Sequence, residues 1–135
     1  MDNAYLHHVS VPTKDVTHAT TFYTDVLGFK KVARPDFPIA GSWLQLGQAE
    51  VHVTNVPDGT FPVTRSVGSD DIHFAIRVDN FEAVIEKLHR SGYRAELPVD
   101  DPKRIIIKPK SMAGYSQVYI MDHDFHLIEI NAAFK

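Results

Sequence analysis

DIHFAIRVDNFEAVIEKLHRSGY, residues 71–93, changes its period part-way along. Residues 72–78 read as a strand. From Phe81 the apolar residues Phe81, Val84, Ile85 and Leu88 recur at three- and four-residue steps, the spacing of a helix with one buried stripe. Asp79 is the expected helix cap, with Glu82 three residues later completing a capping box. Gly92 supplies the left-handed residue that so often ends a helix. Beyond it, residues 93–97 are expected to form a short strand, 103–113 a longer loop with an apolar Ile105-Ile106-Ile107 segment inside it, 116–121 a strand, 122–126 a turn and 127–131 the last strand.

The N-terminal half follows the same order. Residues 5–11 read as a strand ended by Pro12. Asp15 is placed to cap a helix whose apolar positions are Val16, Ala19, Phe22, Tyr23, Val26 and Leu27, and Gly28 stops it. Strands are expected over 29–33, 41–46 and 50–55. His8 stands 20 residues before Gly28, and His73 stands 19 before Gly92. Matching anchor points of this kind mark an internal repeat. The predicted fold is α+β: two paired βαβββ modules in one domain spanning 1–135. Module one covers about 5–56, a Pro- and Gly-containing linker 57–70, and module two about 71–131.

Composition excludes several function classes. Hydrophobic residues make up 44% and charged residues 23% of 135, and the formal net charge is -3, so no basic nucleic-acid surface is expected. Without cysteine there is neither a disulfide nor a thiolate ligand. The N-terminus lacks the pattern of a signal peptide, and no apolar run is long enough to span a membrane. A soluble cytoplasmic protein is the expectation.

His8, His52, His73 and Glu129 fall at equivalent points of the two modules, on first or last strands. If the modules pair through a pseudo-twofold, these four can converge on one divalent ion, since imidazole and carboxylate suit zinc, nickel, iron, manganese or magnesium. Glu129 lies between Ile128 and Ile130, where a buried carboxylate needs a partner or a metal. Trp43, Tyr115 and Tyr119 are candidate walls of a substrate pocket. The basic run Lys103, Arg104, Lys108 and Lys110 reads either as a solvated loop or as a flap over an anionic substrate, with Lys108 and Lys110 as its grip. His7 is expected to point away from His8, His18 and His89 fall on exposed sides of the helices, and His123 and His126 read as surface residues of the final turn or as the lining of a pocket mouth.

The segments LHHVSV (6–11), VTHATTFYTDVLGF (16–29), GSWLQLGQAEVHV (41–53), DIHFAIRVDNFEAVIEKLHRSGY (71–93) and QVYIMDHDFHLIEI (117–130) resemble the vicinal oxygen chelate superfamily, which includes glyoxalases, fosfomycin-resistance proteins and extradiol dioxygenases. The resemblance covers about residues 5–131. It implies a glyoxalase-like curved mixed sheet around a metal held by His8, His73 and Glu129. His52 takes the place where many relatives carry a fourth ligand, glutamate or glutamine.

It also implies a small-molecule substrate and a homodimer. The leading activity is a lyase or isomerase working through an enediolate-type intermediate, with Glu129 and His52 as candidate bases. An iron-dependent extradiol-type dioxygenase using His8, His73 and Glu129 is one alternative, and a non-catalytic small-ligand binding protein is another. Asp122-His123-Asp124-Phe125 stands where the family often has Asp-Pro-Asp-Gly, and the missing glycine implies a different turn geometry.

Overall fold

The computed structural model describes residues 1–133. It contains two compact units, one of Met1–Thr60 and one beginning at Phe61. Each has the predicted order of strand, helix, strand, strand, strand.

In the first unit β1 (His8–Thr13), β2 (Lys30–Val32), β3 (Gly41–Leu46) and β4 (Ala49–Asn55) form a sheet in the order β1-β4-β3-β2. β1 runs parallel to β4, while the β2–β3 and β3–β4 pairs are antiparallel. Pro12, expected to end the first strand, lies inside β1. It is tolerated there because β1 is an edge strand and its missing N–H interrupts no ladder on the open side. Alternation sends Val11, Val51 and Val53 to one face, where they are buried with Ser42 and Leu44. Helix α1 (Val16–Thr21), capped by the Asp15 side chain accepting from the His18 N–H, covers that face. The Thr20 and Ser42 hydroxyls lie 2.8 Å apart and tie helix to sheet.

The expected single helix through Leu27 changes to a π-helical turn at Phe22–Val26. The Thr20 and Thr24 hydroxyls donate to the carbonyls of Val16 and Thr20, at 2.6 and 3.0 Å, and this competition loosens the α-helical ladder where the change occurs. Gly41 has a local cause: a Cβ there would collide with the carbonyl oxygen of Val53.

In the second unit β5 (His73–Val78), β6 (Ile106–Lys108), β7 (Gln117–Met121) and β8 (Leu127–Ala132) are ordered β5-β8-β7-β6, again with the first and last strands parallel. Val118, Ile120, Ile128 and Ile130 form its core face. The strand expected at 93–97 is absent; Arg94 makes only a single bridge with Arg104. The second strand of this module is instead the Ile106–Lys108 segment assigned to the loop. Its β-branched residues pair with β7, so the inserted chain precedes β6.

The first two residues of the basic run make structural contacts in this arrangement. Lys103 Nζ donates to the carbonyl of Ser91 at the C-terminus of helix α2 (Phe81–Arg90), where a cation is favoured, and Arg104 donates to the Leu97 carbonyl. Lys108 sits within β6.

The α2 cap is Asn80, whose side chain accepts from the Ala83 N–H at 3.0 Å, in place of the expected Asp79. Asn80→Ala is therefore expected to cost about 1 kcal/mol and Asp79→Ala much less, as read by chemical unfolding. Equal losses would return the cap to Asp79. Among the described residues no helix is long and apolar enough to cross a membrane.

Candidate functional site

The two parallel pairings place the predicted site residues at one register. Ser10 is level with His52 and Ala75 with Glu129, so His8 and His73 each stand two residues before the partner of the last-strand residue. Residues two apart share a face, so His8 and His52 share one face in the first unit, as His73 and Glu129 do in the second. In each unit this is the face opposite the aliphatic core residues.

In the first unit the His52 ring is stacked between two others. Trp43 lies 4.3 Å away at 5° and His8 4.0 Å away at 13°. His52 Nε2 is 2.6 Å from Glu50 Oε2, so the carboxylate holds the imidazole and leaves Nδ1 to other partners. His7 does not point away as expected: its Nδ1 lies 2.9 Å from His8 Nδ1. β1 begins only at His8, so strand alternation does not reach His7.

In the second unit His73 Nε2 lies 3.1 Å from Glu129 Oε2, and His73 Nδ1 lies 2.7 Å from the Asp71 carbonyl oxygen. A carbonyl only accepts, so Nδ1 carries a proton; Nε2 donates to Glu129 when it is protonated as well, and in a neutral ring it offers a lone pair there. Such a pair calls for positive charge between its atoms, from a second proton or a cation. A backbone carbonyl on one ring nitrogen, fixing the tautomer and leaving the other nitrogen to a ligand, is an arrangement common to metal-ligating histidines.

Glu129 is 6% exposed and bonded on both oxygens. Gln117 and Asn131 each donate an amide N–H to Oε1 at 2.8 Å, and the Tyr119 hydroxyl donates to Oε2 at 3.2 Å. Burial pushes the carboxyl pKa up. The bonds from Asn131, Gln117, Tyr119 and His73 outweigh it, and the pKa is lowered below the ordinary glutamate value. Glu129 is thus held as a carboxylate, the form that ligates.

The candidate pocket residues stand each within its own unit. Trp43 and Tyr119 stand at the same register beside His52 and Glu129. Lys108 is on the Tyr119 face, its Nζ donating to Ser69 at 2.9 Å and 5.4 Å from the Tyr119 ring. Tyr115 packs under Arg77, with Cζ 4.5 Å from the ring centroid. Lys110 is exposed between β6 and β7. Asp122, Asp124 and His126 each bring a ligand atom within 4.8 Å of the others. Asp122 Oδ1, however, accepts the N–H groups of both Asp124 and His126, a turn-building role. In the same turn Phe125 takes a φ of 68°, the left-handed conformation that glycine adopts freely. The ring packs against Tyr119, Met121 and Leu127.

Gln117, Asn131 and Arg77 were not read from the sequence. The available signal was period two: Asn131 follows Glu129 by two residues, and Gln117 precedes Tyr119 by two.

Residues 5–130 match the family described as Glyoxalase/Bleomycin resistance protein/Dioxygenase superfamily. The chain belongs to this superfamily. Among curated proteins it is similar to Glyoxylase I 4 of Arabidopsis thaliana, 27% identical over 127 residues that make up 93% of this chain and 68% of that protein. It is also similar to the mitochondrial methylmalonyl-CoA epimerase of Mus musculus, 26% identical over 121 residues, covering 81% of this chain and 68% of that protein. Lactoylglutathione lyase from Agrobacterium tumefaciens shares the glyoxalase fold at a TM-score of 0.68, with 16% identity over 98% of this chain and 96% of that one.

Proposed function

We propose that this glyoxalase-superfamily protein is a metal-dependent lyase or isomerase acting on a small substrate with two neighbouring oxygens. The observation that carries the reading is the His73–Glu129 pair, in which a ring nitrogen and a carboxylate oxygen 3.1 Å apart are two donors that one divalent ion can share. His73 and Glu129 are the donors offered by the second unit, and His8 and His52 are their counterparts in the first. Nitrogen and oxygen donors of this kind fit zinc, nickel, iron, manganese or magnesium. When bound, such an ion supplies Lewis-acid stabilisation of charge on oxygen.

The chain's own residues do the rest. The Asp71 carbonyl fixes the His73 tautomer and Glu50 orients His52. Glu50 and His52 together form a proton-accepting pair, suited to taking a proton from carbon beside a carbonyl. The names of the two curated relatives, a glyoxylase and an epimerase, support carbon-acid chemistry of this type. Lys108, on the Tyr119 face, is the proposed contact for an anionic substrate group.

Elemental analysis of freshly purified protein tests the reading. One divalent ion per chain is expected, lost in His73→Ala, and a parent protein without stoichiometric metal, or a His73→Ala variant that keeps it, would overturn the proposal.

A further inference from the structure

Comparison of the two units at matched register shows an asymmetry. Around His52 the equivalent positions are Gly41, Trp43, Thr54 and Pro12. Around Glu129 they are Gln117, Tyr119, Asn131 and Arg77. The second unit sets two amides and a guanidinium around its carboxylate, where the first has neither group.

A side-chain amide can present either its oxygen or its nitrogen, and an amide oxygen turned toward Glu129 would repel it. Asn131 sits between Glu129 on one side and Arg77 on the other. Arg77 Nε can only donate, and it lies 2.8 Å from Asn131 Oδ1. The oxygen is therefore claimed by Arg77, and Nδ2 is turned to Glu129 Oε1 at 2.8 Å. Gln117 Nε2 occupies the same oxygen, also at 2.8 Å.

We infer that Arg77, acting through Asn131 and together with Gln117, is a positioning residue that engages Glu129 Oε1 and presents Oε2 alone as a one-oxygen ligand. The inference rests on the metal reading above for its consequence, and on hydrogen bonding alone for its geometry.

Two substitutions separate the donor from everything else Arg77 supplies. In Arg77→Gln the amide nitrogen falls at the chain position of arginine Nε, so the bond to Asn131 can be kept. Arg77→Met has the same length without a donor. Both remove the charge and the stacking on Tyr115. With cobalt(II) as the probe, Arg77→Met is expected to weaken binding about 10- to 100-fold and to change the visible absorption of the bound ion, as loss of an outer hydrogen bond typically does. Arg77→Gln should restore both to near parent values.

In metal-free protein, the Asn131 side-chain amide should give a sharp, slowly exchanging NMR signal in the parent and in Arg77→Gln, and a broadened one in Arg77→Met. Equal weakening in both variants would assign the effect to charge or packing and overturn the relay, as would an unchanged Arg77→Met. If the parent binds no cobalt, the metal reading falls, and the amide signals alone decide the relay.

Discussion

Glu129→Gln is expected to stay folded and to lose divalent-ion affinity by at least about 100-fold, since a direct ligand is removed. A glutamine oxygen can still accept from both Gln117 and Asn131, whose amides lie 2.8 Å from Oε1. Its NH2 replaces Oε2 and can donate to the lone pair of His73 Nε2. The two buried amides keep their acceptor, while the Tyr119 hydroxyl, which donates to Oε2, faces an NH2 and loses its acceptor, so stability should fall by about 1 kcal/mol. Glu129→Ala behaves differently. It leaves the amides of Gln117 and Asn131 and the Tyr119 hydroxyl unsatisfied, in side chains 8%, 5% and 4% exposed. The expected cost is about 2–4 kcal/mol. Titration calorimetry with zinc or nickel and thermal melts followed by circular dichroism separate the two effects. A Gln variant that binds metal as tightly as the parent would remove Glu129 from the ligand set.

The second large effect is alkaline unfolding. Burial, reinforced by the charge of Asp122, raises the Tyr93 pKa to about 12. Burial also raises Tyr119 to about 12, helped by the charge of Glu129 and their hydrogen bond, and by Asp70 and Tyr115. Both phenols are held protonated by the fold. Their stabilisation is complete below the unfolded value near 10 and is lost as pH climbs toward about 12. Each contributes on the order of 2 kcal/mol, and a domain's whole stability is typically 5–15 kcal/mol. Urea unfolding at pH about 8 and about 11 should show the loss directly. Tyr93 and Tyr119 should ionise late and together with unfolding. Ionisation of both near pH 10, with no loss of structure, would refute this.

Much of this fold was legible because period two and period 3.6 are written plainly in the chain. Gly28 and Gly92 stop their helices in left-handed conformations, as their positions suggested. Burial of Glu129 between two isoleucines announced a carboxylate in need of partners. What remained hidden depends on contacts that periodicity does not encode. Repeat logic put a strand directly after Gly92, but the second module inserts chain there, and the apolar 105–107 segment carries the pairing instead. The change to a π turn at Phe22 arises from threonine hydroxyls competing for carbonyls. The donors around Glu129 are polar strand residues that resemble ordinary surface positions until neighbouring strands are placed. How the candidate ligands of the two modules relate in space is likewise not written in either module's own periodicity.

The parallel pairing of first and last strands in each unit also shapes how the molecule folds. His73 and Glu129 are 56 residues apart in the chain, whereas β7 and β8 are joined by a short turn. The local hairpins can zip early, but each ligand pair forms only after a long closure whose entropy must be met first. During synthesis the second pair cannot exist until β8 has emerged, so an ion captured by His73 and Glu129 is captured by a module whose chain has already closed.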